Sequence, residues 1–264
     1  MPIADTLERV GVLKLFDLHG KTALITGAST GIGKRVALAY AEAGAQVAIA
    51  ARHFDVLQKV ADEIAAAGGT ALPIACDVTD PDQVTGMVDK VIAELGGIDI
   101  AVANAGILEL APLLDMSLED FQRIQDTNVT GVFLTAQAAA RAMVAQGRGG
   151  SIITTASMSG HIINVSQPMG HYCASKAAVI QLTKALALEM APHNIRVNSV
   201  SPGYILTELV EPLSELHALW KPKIPLGRIG RPEELTGLYL YLASEASSYM
   251  TGSDIVIDGG YTVP

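Results

Sequence analysis

KTALITGASTGIG, residues 21–33, joins a short apolar run, Lys21 to Thr26, to three glycines, Gly27, Gly31 and Gly33. Lys34 to Ala43 then reads as a helix, ended by Gly44. The order is strand, glycine loop, helix. Glycines permit backbone angles and close approaches that a Cβ would block. A helix N-terminus offers unpaired N–H groups and a positive dipole end to a phosphate. The spacing is G-x-x-x-G-x-G, which differs from the G-x-G-x-x-G of the longer dinucleotide-binding fingerprint. Glycine loops also occur as plain tight turns, but this one lies between a strand and a helix, and that placement favours nucleotide binding.

The same alternation continues outward. Gln46 to Ala51 (QVAIAA) is the next strand, followed by Arg52 and His53. Phe54 to Ala67 is helical, and Thr70 to Ala75 is a third strand ending at Cys76-Asp77-Val78. Asp80 at the N-cap and Pro81 at the first helical position open another helix. Ile98 to Ala103 runs into Asn104-Ala105-Gly106. Ser117 to Gln146 predicts one long helix, with Ser117 and Asp120 as a capping box. Asn128 and Gly131 are poor interior helix formers, and the apolar company of Asn128 suggests a buried polar role. Ser151 to Thr155 is a fifth strand, ending at Ala156-Ser157-Met158-Ser159-Gly160. After a mixed loop, a helix runs from about Tyr172 to Met190. Asn194 to Ser199 and Asp254 to Ile257 are the last strands, with a broken segment, Glu208 to Lys223, and a helix, Pro232 to Leu242, between them. The pattern predicts right-handed βαβ units and a parallel sheet. Residues 1–20 have no counterpart in it and read as an N-terminal extension, with Ile3, Leu7, Val10 and Leu13 on one face of a short helix. Residues 21–264 read as one domain.

Composition narrows the function classes. At 264 residues and 50% apolar, the chain can bury a full core. Aromatics are few, at 5%, and the aliphatic bulk suits a parallel sheet buried on both faces. The net charge of −9, with no basic run, gives nucleic-acid binding no electrostatic support. Asp5, Glu8 and Arg9 interrupt the start where a signal peptide would be apolar. No uncharged stretch approaches the ~20 residues of a membrane span. The two cysteines, Cys76 and Cys173, and the six scattered histidines show no metal-ligand spacing. A soluble cytoplasmic protein without membrane or nucleic-acid partners is the expectation.

The helix from Tyr172 carries the chemistry. Residues four apart share a helix face, so Tyr172 and Lys176 point the same way. A tyrosine near its free pKa of ~10 is a reluctant acid–base group. A nearby positive charge favours the phenolate, so the pair can act as a tuned proton donor and acceptor. Gly27, Asp77, Asn104, Ser157 and Pro202 all follow strands. In a doubly wound sheet that brings them to one crevice.

Thr26-Gly27-x-x-x-Gly31-Ile32-Gly33, Asn104-Ala105-Gly106, Asn128, Ser157, Tyr172-x-x-x-Lys176, Pro202-Gly203 and Asp258-Gly259-Gly260 occur in this order. Together they resemble the short-chain dehydrogenase/reductase family, from about Lys21 to Gly260. The resemblance implies a single Rossmann-like doubly wound domain, with a seven-stranded parallel sheet flanked by helices on both faces. It implies NAD(P)-dependent interconversion of a carbonyl and a secondary alcohol on a small substrate, and a homotetramer. Tyr172 would then be the acid/base, Ser157 would orient the reacting oxygen, and Lys176 would hold the nicotinamide ribose. Asn128 would hold a water linking Lys176 to solvent. Cofactor contacts would fall on Gly27, Ser29, Thr30, Gly31, Ile32, Gly33, Arg52, His53, Asp77, Val78, Asn104, Ala105, Gly106, Pro202, Gly203, Ile205 and Thr207. Of these, Ile205 and Thr207 would meet the nicotinamide amide.

Two departures from the family pattern matter. Counting thirteen residues back from Tyr172 gives Ser159, whereas alignment by the strand end gives Ser157, which is preferred. Ala103 stands where many members carry a second asparagine. Ser159, His161, Ile162, Ile163, Asn164, Gln167, Met169 and Tyr204, with the segment to Trp220, are expected to line the substrate pocket. They suggest a mixed apolar and hydrogen-bonding ligand such as a polyol, ketose or cyclic ketone.

For the cofactor, NAD enzymes of this architecture place an acid at the end of the second strand. Here Ala51 and Arg52 stand there instead. A guanidinium can grip a 2′-phosphate through paired charge-assisted hydrogen bonds, so NADP(H) is expected over NAD(H). Two alternatives stand beside this. One is a 3-oxoacyl-carrier-protein reductase, for which Lys221, Lys223, Arg228 and Arg231 would supply a basic mouth. The other is a non-catalytic cofactor-binding regulator, which would have no need of Ser157, Tyr172, Lys176 and Asn128.

Overall fold

The structure is a computed structural model that describes residues 11–165 and 167–263. The helix face expected at Ile3, Leu7 and Val10 lies outside the described residues. Seven parallel strands form one sheet in the order β3-β2-β1-β4-β5-β6-β7. They are β1 Thr22–Thr26, β2 Gln46–Ala51, β3 Thr70–Ala75, β4 Ile100–Ala103, β5 Gly150–Thr155, β6 Ile195–Pro202 and β7 Asp254–Ile257. The strand order reverses direction between β1 and β4, and that reversal opens a crevice beyond their carboxyl ends.

Side-chain alternation sorts each strand between two cores. On one face Ala23, Ile25, Val47 and Ile49 meet α1 (Gly31–Glu42), α2 (Phe54–Ala66) and α8 (Glu233–Ala243). On the other, Leu24, Ala48, Ala101 and Ile152 meet α3 (Pro81–Leu95), α5 (Gly131–Gln146) and the far part of α6 (Gly170–Met190). Both faces are apolar because both are covered, which is why the strands read as continuous aliphatic runs.

The extension drawn at residue 20 is tied down before it ends. Leu18 is buried in the first core, and its N–H donates to the Ala43 carbonyl. Leu13 remains exposed. The long helix expected over 117–146 also needs correction. It forms as α4 (Leu118–Gln125), a π-helical turn (Asp126–Thr130) and α5. Gly131 shows one cause. A Cβ there would stand 2.6 Å from Val78 Cγ2, so the glycine lets the helix press against the loop after β3. The broken segment after residue 208 resolves into α7 (Ser214–Trp220) between two short 3-10 turns, Glu211–Leu213 and Lys221–Lys223.

Candidate active site

A cavity of about 700 Å³ opens over the carboxyl ends of the strands. At its floor, Gly27 and Gly31 hold φ angles of 64° and 54°, the left-handed region that favours glycine. A Cβ on Gly27 would lie 2.8 Å from Ala105 Cα. Gly33 plays a different part from that expected: it is not on the cavity wall. A Cβ there would lie 2.3 Å from the Gly27 carbonyl oxygen, so its hydrogen lets α1 close onto the loop. Thr30 is the N-cap of α1, but its side chain caps nothing. The first amides of α1 are therefore left for another acceptor. Open helix amides, a glycine floor with no Cβ in the way and a roomy crevice are what a dinucleotide pyrophosphate requires, so these residues fit NAD(P).

Three strand ends are cross-linked beneath the cavity. The Thr26 hydroxyl donates to Val102 O and accepts from the N–H groups of Asn104 and Ala105. Asn104 Nδ2 donates to the carbonyls of Thr26 and Gly27, and Asn104 Oδ1 accepts from the Thr155 hydroxyl. Lys176 Nζ donates to the Thr155 carbonyl at 2.8 Å. β1, β4, β5 and the catalytic helix α6 are thus fastened to one another.

Tyr172, Lys176 and Ser157 converge on this cavity. Lys176 Nζ lies 5.6 Å from the Tyr172 ring centre. The buried setting pushes the Lys176 ammonium down to about 8. It pushes the Tyr172 phenol up to about 12, against a smaller opposing hydrogen bond from Ser157. This corrects one expectation: in the free site desolvation raises the phenol, the group that opposes it is Ser157 and not the lysine, and Tyr172 keeps its proton. Ser157 Oγ accepts from Ser159 N–H at 3.1 Å, which leaves its proton for the Tyr172 side. The Ser159 hydroxyl is committed elsewhere, to Asn164 Oδ1 at 2.7 Å.

Asn128 is fully buried, and its side chain does not face the cavity. Its Oδ1 accepts from Ile107 N–H, and its Nδ2 donates to Ile107 O and Ser175 Oγ. The side chain splints the loop after β4 to α6 at Ser175.

Most other expected contacts line the cavity: Ser29, Thr30, Gly31, Ile32, Arg52, His53, Asp77, Val78, Asn104, Ala105, Gly106, Pro202, Gly203, Ile205 and Thr207. Ser159, Asn164, Gln167, Met169 and Tyr204 line it as well. His161, Ile162 and Ile163 do not. A 3-10 turn at Met158–Gly160 turns His161 outward, where its Nε2 meets Asp254 Oδ2 at 2.6 Å. Ile163 is 73% exposed. Trp220 is buried against Tyr204 and forms part of the cavity wall. The reading also missed one wall. Glu119, Gln122, Arg123 and Asp126 all line the cavity, and their spacing of three to four marks a single helix face.

A family model described as enoyl-(acyl carrier protein) reductase matches residues 27–262. The sorbose reductase of Candida albicans is 43% identical over 96% of this chain and 91% of its own. The chain is a short-chain dehydrogenase/reductase. A probable NADP-dependent mannitol dehydrogenase of Yarrowia lipolytica is 42% identical over 100% of this chain and 96% of its own. The crystal structure of a short-chain type dehydrogenase/reductase from Mycobacterium marinum is 80% identical, with a TM-score of 0.95. It covers 96% of this chain and 100% of its own. As a short-chain dehydrogenase/reductase, this chain is an NAD(P)-dependent oxidoreductase acting on CH–OH and C=O groups. Among the described residues no helix is long and apolar enough to cross a membrane. No cluster of His, Cys, Asp and Glu there could hold a metal ion.

Proposed function

We propose that this enzyme interconverts a ketose and a polyol with NADP(H). The observation that carries the reading is the cavity wall facing Tyr172. Ser159, Asn164, Gln167 and Tyr204 make it polar beneath a Trp220 cover. These four pair with one another, and the Gln167 NH₂ alone has no partner among the described residues; an unsubstituted acyl chain would leave it unpaired, whereas a polyhydroxy substrate offers it an acceptor. The names of the Candida and Yarrowia relatives, a sorbose reductase and a mannitol dehydrogenase, support the same substrate class.

Bound NADPH supplies a hydride to the carbonyl carbon. Tyr172 donates its phenolic proton to the carbonyl oxygen, and Ser157 donates a hydrogen bond that orients that oxygen. Lys176, anchored on Thr155, would hold the nicotinamide ribose. Arg52 supports NADP(H) over NAD(H). It is exposed at the end of β2 and forms no ion pair among the described residues. The buried free cysteines, Cys76 and Cys173, accord with a reducing, cytoplasmic setting.

The carrier-protein alternative has weaker support. Arg228, one of four candidate basic residues, is held by two hydrogen bonds to Glu234, so its charge is already paired. A panel of ketoses, polyols and 3-oxoacyl thioesters, assayed with both cofactors, tests the proposal. Ketohexoses with NADPH should give the highest kcat/KM, and a preference for the thioester would overturn it. Cofactor binding without turnover of any substrate would favour the regulator.

Two further outcomes follow from the site and the surface. Ser157→Ala should lower kcat far more than Ser159→Ala, because the Ser157 hydroxyl is directed at Tyr172 whereas the Ser159 hydroxyl is committed to Asn164. The reverse order in single-turnover rates would give Ser159 the catalytic part. In solution the protein should be a homotetramer. Leu113, Leu114 and Leu118 are 83%, 96% and 70% exposed beside a half-exposed Phe121, a patch that another copy would cover. Light scattering that returned an active monomer would contradict this.

A further inference from the structure

Four buried polar side chains in the cavity wall form a single directed chain. The Ser159 hydroxyl donates to Asn164 Oδ1 at 2.7 Å. Asn164 Nδ2 donates to the Tyr204 hydroxyl at 2.9 Å. The Tyr204 hydroxyl donates to Gln167 Oε1 at 2.5 Å. Burial holds the Tyr204 phenol well above its ordinary pKa, so it stays a donor at any working pH. Its ring is clamped by Trp220, stacked at 4.1 Å and 6°, and by Tyr261 edge-on at 5.2 Å.

Each link fixes the next. Because Tyr204 donates, Gln167 must present its carbonyl oxygen to Tyr204 and turn its NH₂ the other way. Gln167 is 6% exposed and lines the cavity. Its Nε2 has no hydrogen-bond partner among the described residues, yet it is not one of the sealed-off orphan atoms. Gln167 lines the cavity that Ser157 and Tyr172 also line, and its NH₂, turned away from Tyr204, is left without a partner there.

We infer that the Gln167 amide, aimed by the Ser159–Asn164–Tyr204 chain, is a specificity-determining donor to an oxygen of a polyhydroxy substrate away from the reacting carbon. This rests on the ketose–polyol reading and extends it. Tyr204 acts through Gln167 and is a positioning residue. The Trp220 stack places α7 over the same chain, so the segment that covers the cavity also sets the donor's direction. A ligand without an oxygen at that point strands a desolvated amide, which is how a hydrogen-bonding pocket rejects an analogue that lacks the group.

The test uses the whole enzyme with NADPH and a ketohexose. Gln167→Leu keeps the bulk and removes the donors. Its KM for the ketohexose should rise about tenfold or more, with kcat changed less and the KM for NADPH unaltered. Tyr204→Phe keeps the aromatic stack and frees the amide to rotate, so it should raise KM in the same direction by a smaller factor. The double variant should be no worse than Gln167→Leu alone, because the tyrosine hydroxyl has nothing left to aim. Additive losses in the double variant, or a fall in kcat at unchanged KM, would overturn the inference. If Gln167→Leu fails to fold, Tyr204→Phe alone decides between a shifted and an unshifted KM. Variants that match a ketohexose-reducing parent remove this inference only. A parent that turns over no ketohexose removes the substrate reading as well.

Discussion

Replacing Tyr172 by phenylalanine is expected to lower kcat by at least ~10²-fold, the loss typical of a missing general acid. That equals about 2.7 kcal/mol of transition-state stabilisation. The ring stays, so the packing at the start of α6 and the dissociation constant for NADP(H) should change little. The protonation states give this result a pH signature. In the free site the phenol titrates at about 12 and the lysine at about 8. Both pKa values lie above neutrality, so reduction starts with Tyr172 protonated and most of Lys176 charged. As pH rises through about 8, Lys176 loses its charge while Tyr172 retains its proton. The kcat/KM for reduction should therefore decline from that point, well below the titration of the phenol. Near-normal turnover by Tyr172→Phe in single-turnover experiments would remove Tyr172 from the mechanism.

The second large effect concerns the cofactor. Ala51→Asp combined with Arg52→Ala should reverse the preference from NADP(H) to NAD(H). A charge-assisted hydrogen bond contributes about 1.5–3 kcal/mol, and a bidentate guanidinium–phosphate contact makes two. Losing Arg52 should thus weaken kcat/KM for NADPH by at least ~10²-fold. The new carboxylate adds repulsion toward a 2′-phosphate and a hydrogen bond to an unphosphorylated ribose. Little else in the adenosine end opposes the change. Thr30 is neutral, and His53 is exposed beside Arg52. Steady-state kcat/KM with both cofactors, in parent and variant, is the measurement. A parent that prefers NADH would show that Arg52 is only a solvated charge.

The chain reveals its sheet readily because each strand is buried on both faces and each ends in a small or turn-forming residue. β2, β3 and β7 fall on the segments read from the sequence. The convergence of Gly27, Asp77, Asn104, Ser157 and Pro202 follows from topology alone. Features that depend on distant contacts were not legible. The π-helical turn answers to Val78 and Ile107, neither of them a sequence neighbour of Gly131 or Asn128. His161 leaves the pocket for Asp254, 93 residues away. The anchor of Lys176 is the main-chain oxygen of Thr155, an atom that every residue carries and no motif marks. The phenol's upward shift arises from the folded surroundings, whereas helical spacing shows only that a lysine is near.

The hydrogen bonds that join Thr26, Asn104, Thr155 and Lys176 also divide the molecule for evolution. Glycine loop, central strand ends and catalytic helix form one fastened block, so a change in any member disturbs the hydride geometry for every substrate. The segment that carries Asn164, Gln167 and Met169 and the one from 204 to 223 line the cavity from outside that fastening. New substrates can be reached by rewriting those two segments while the block beneath stays fixed. A lineage with this floor can diversify its roof without relearning its chemistry.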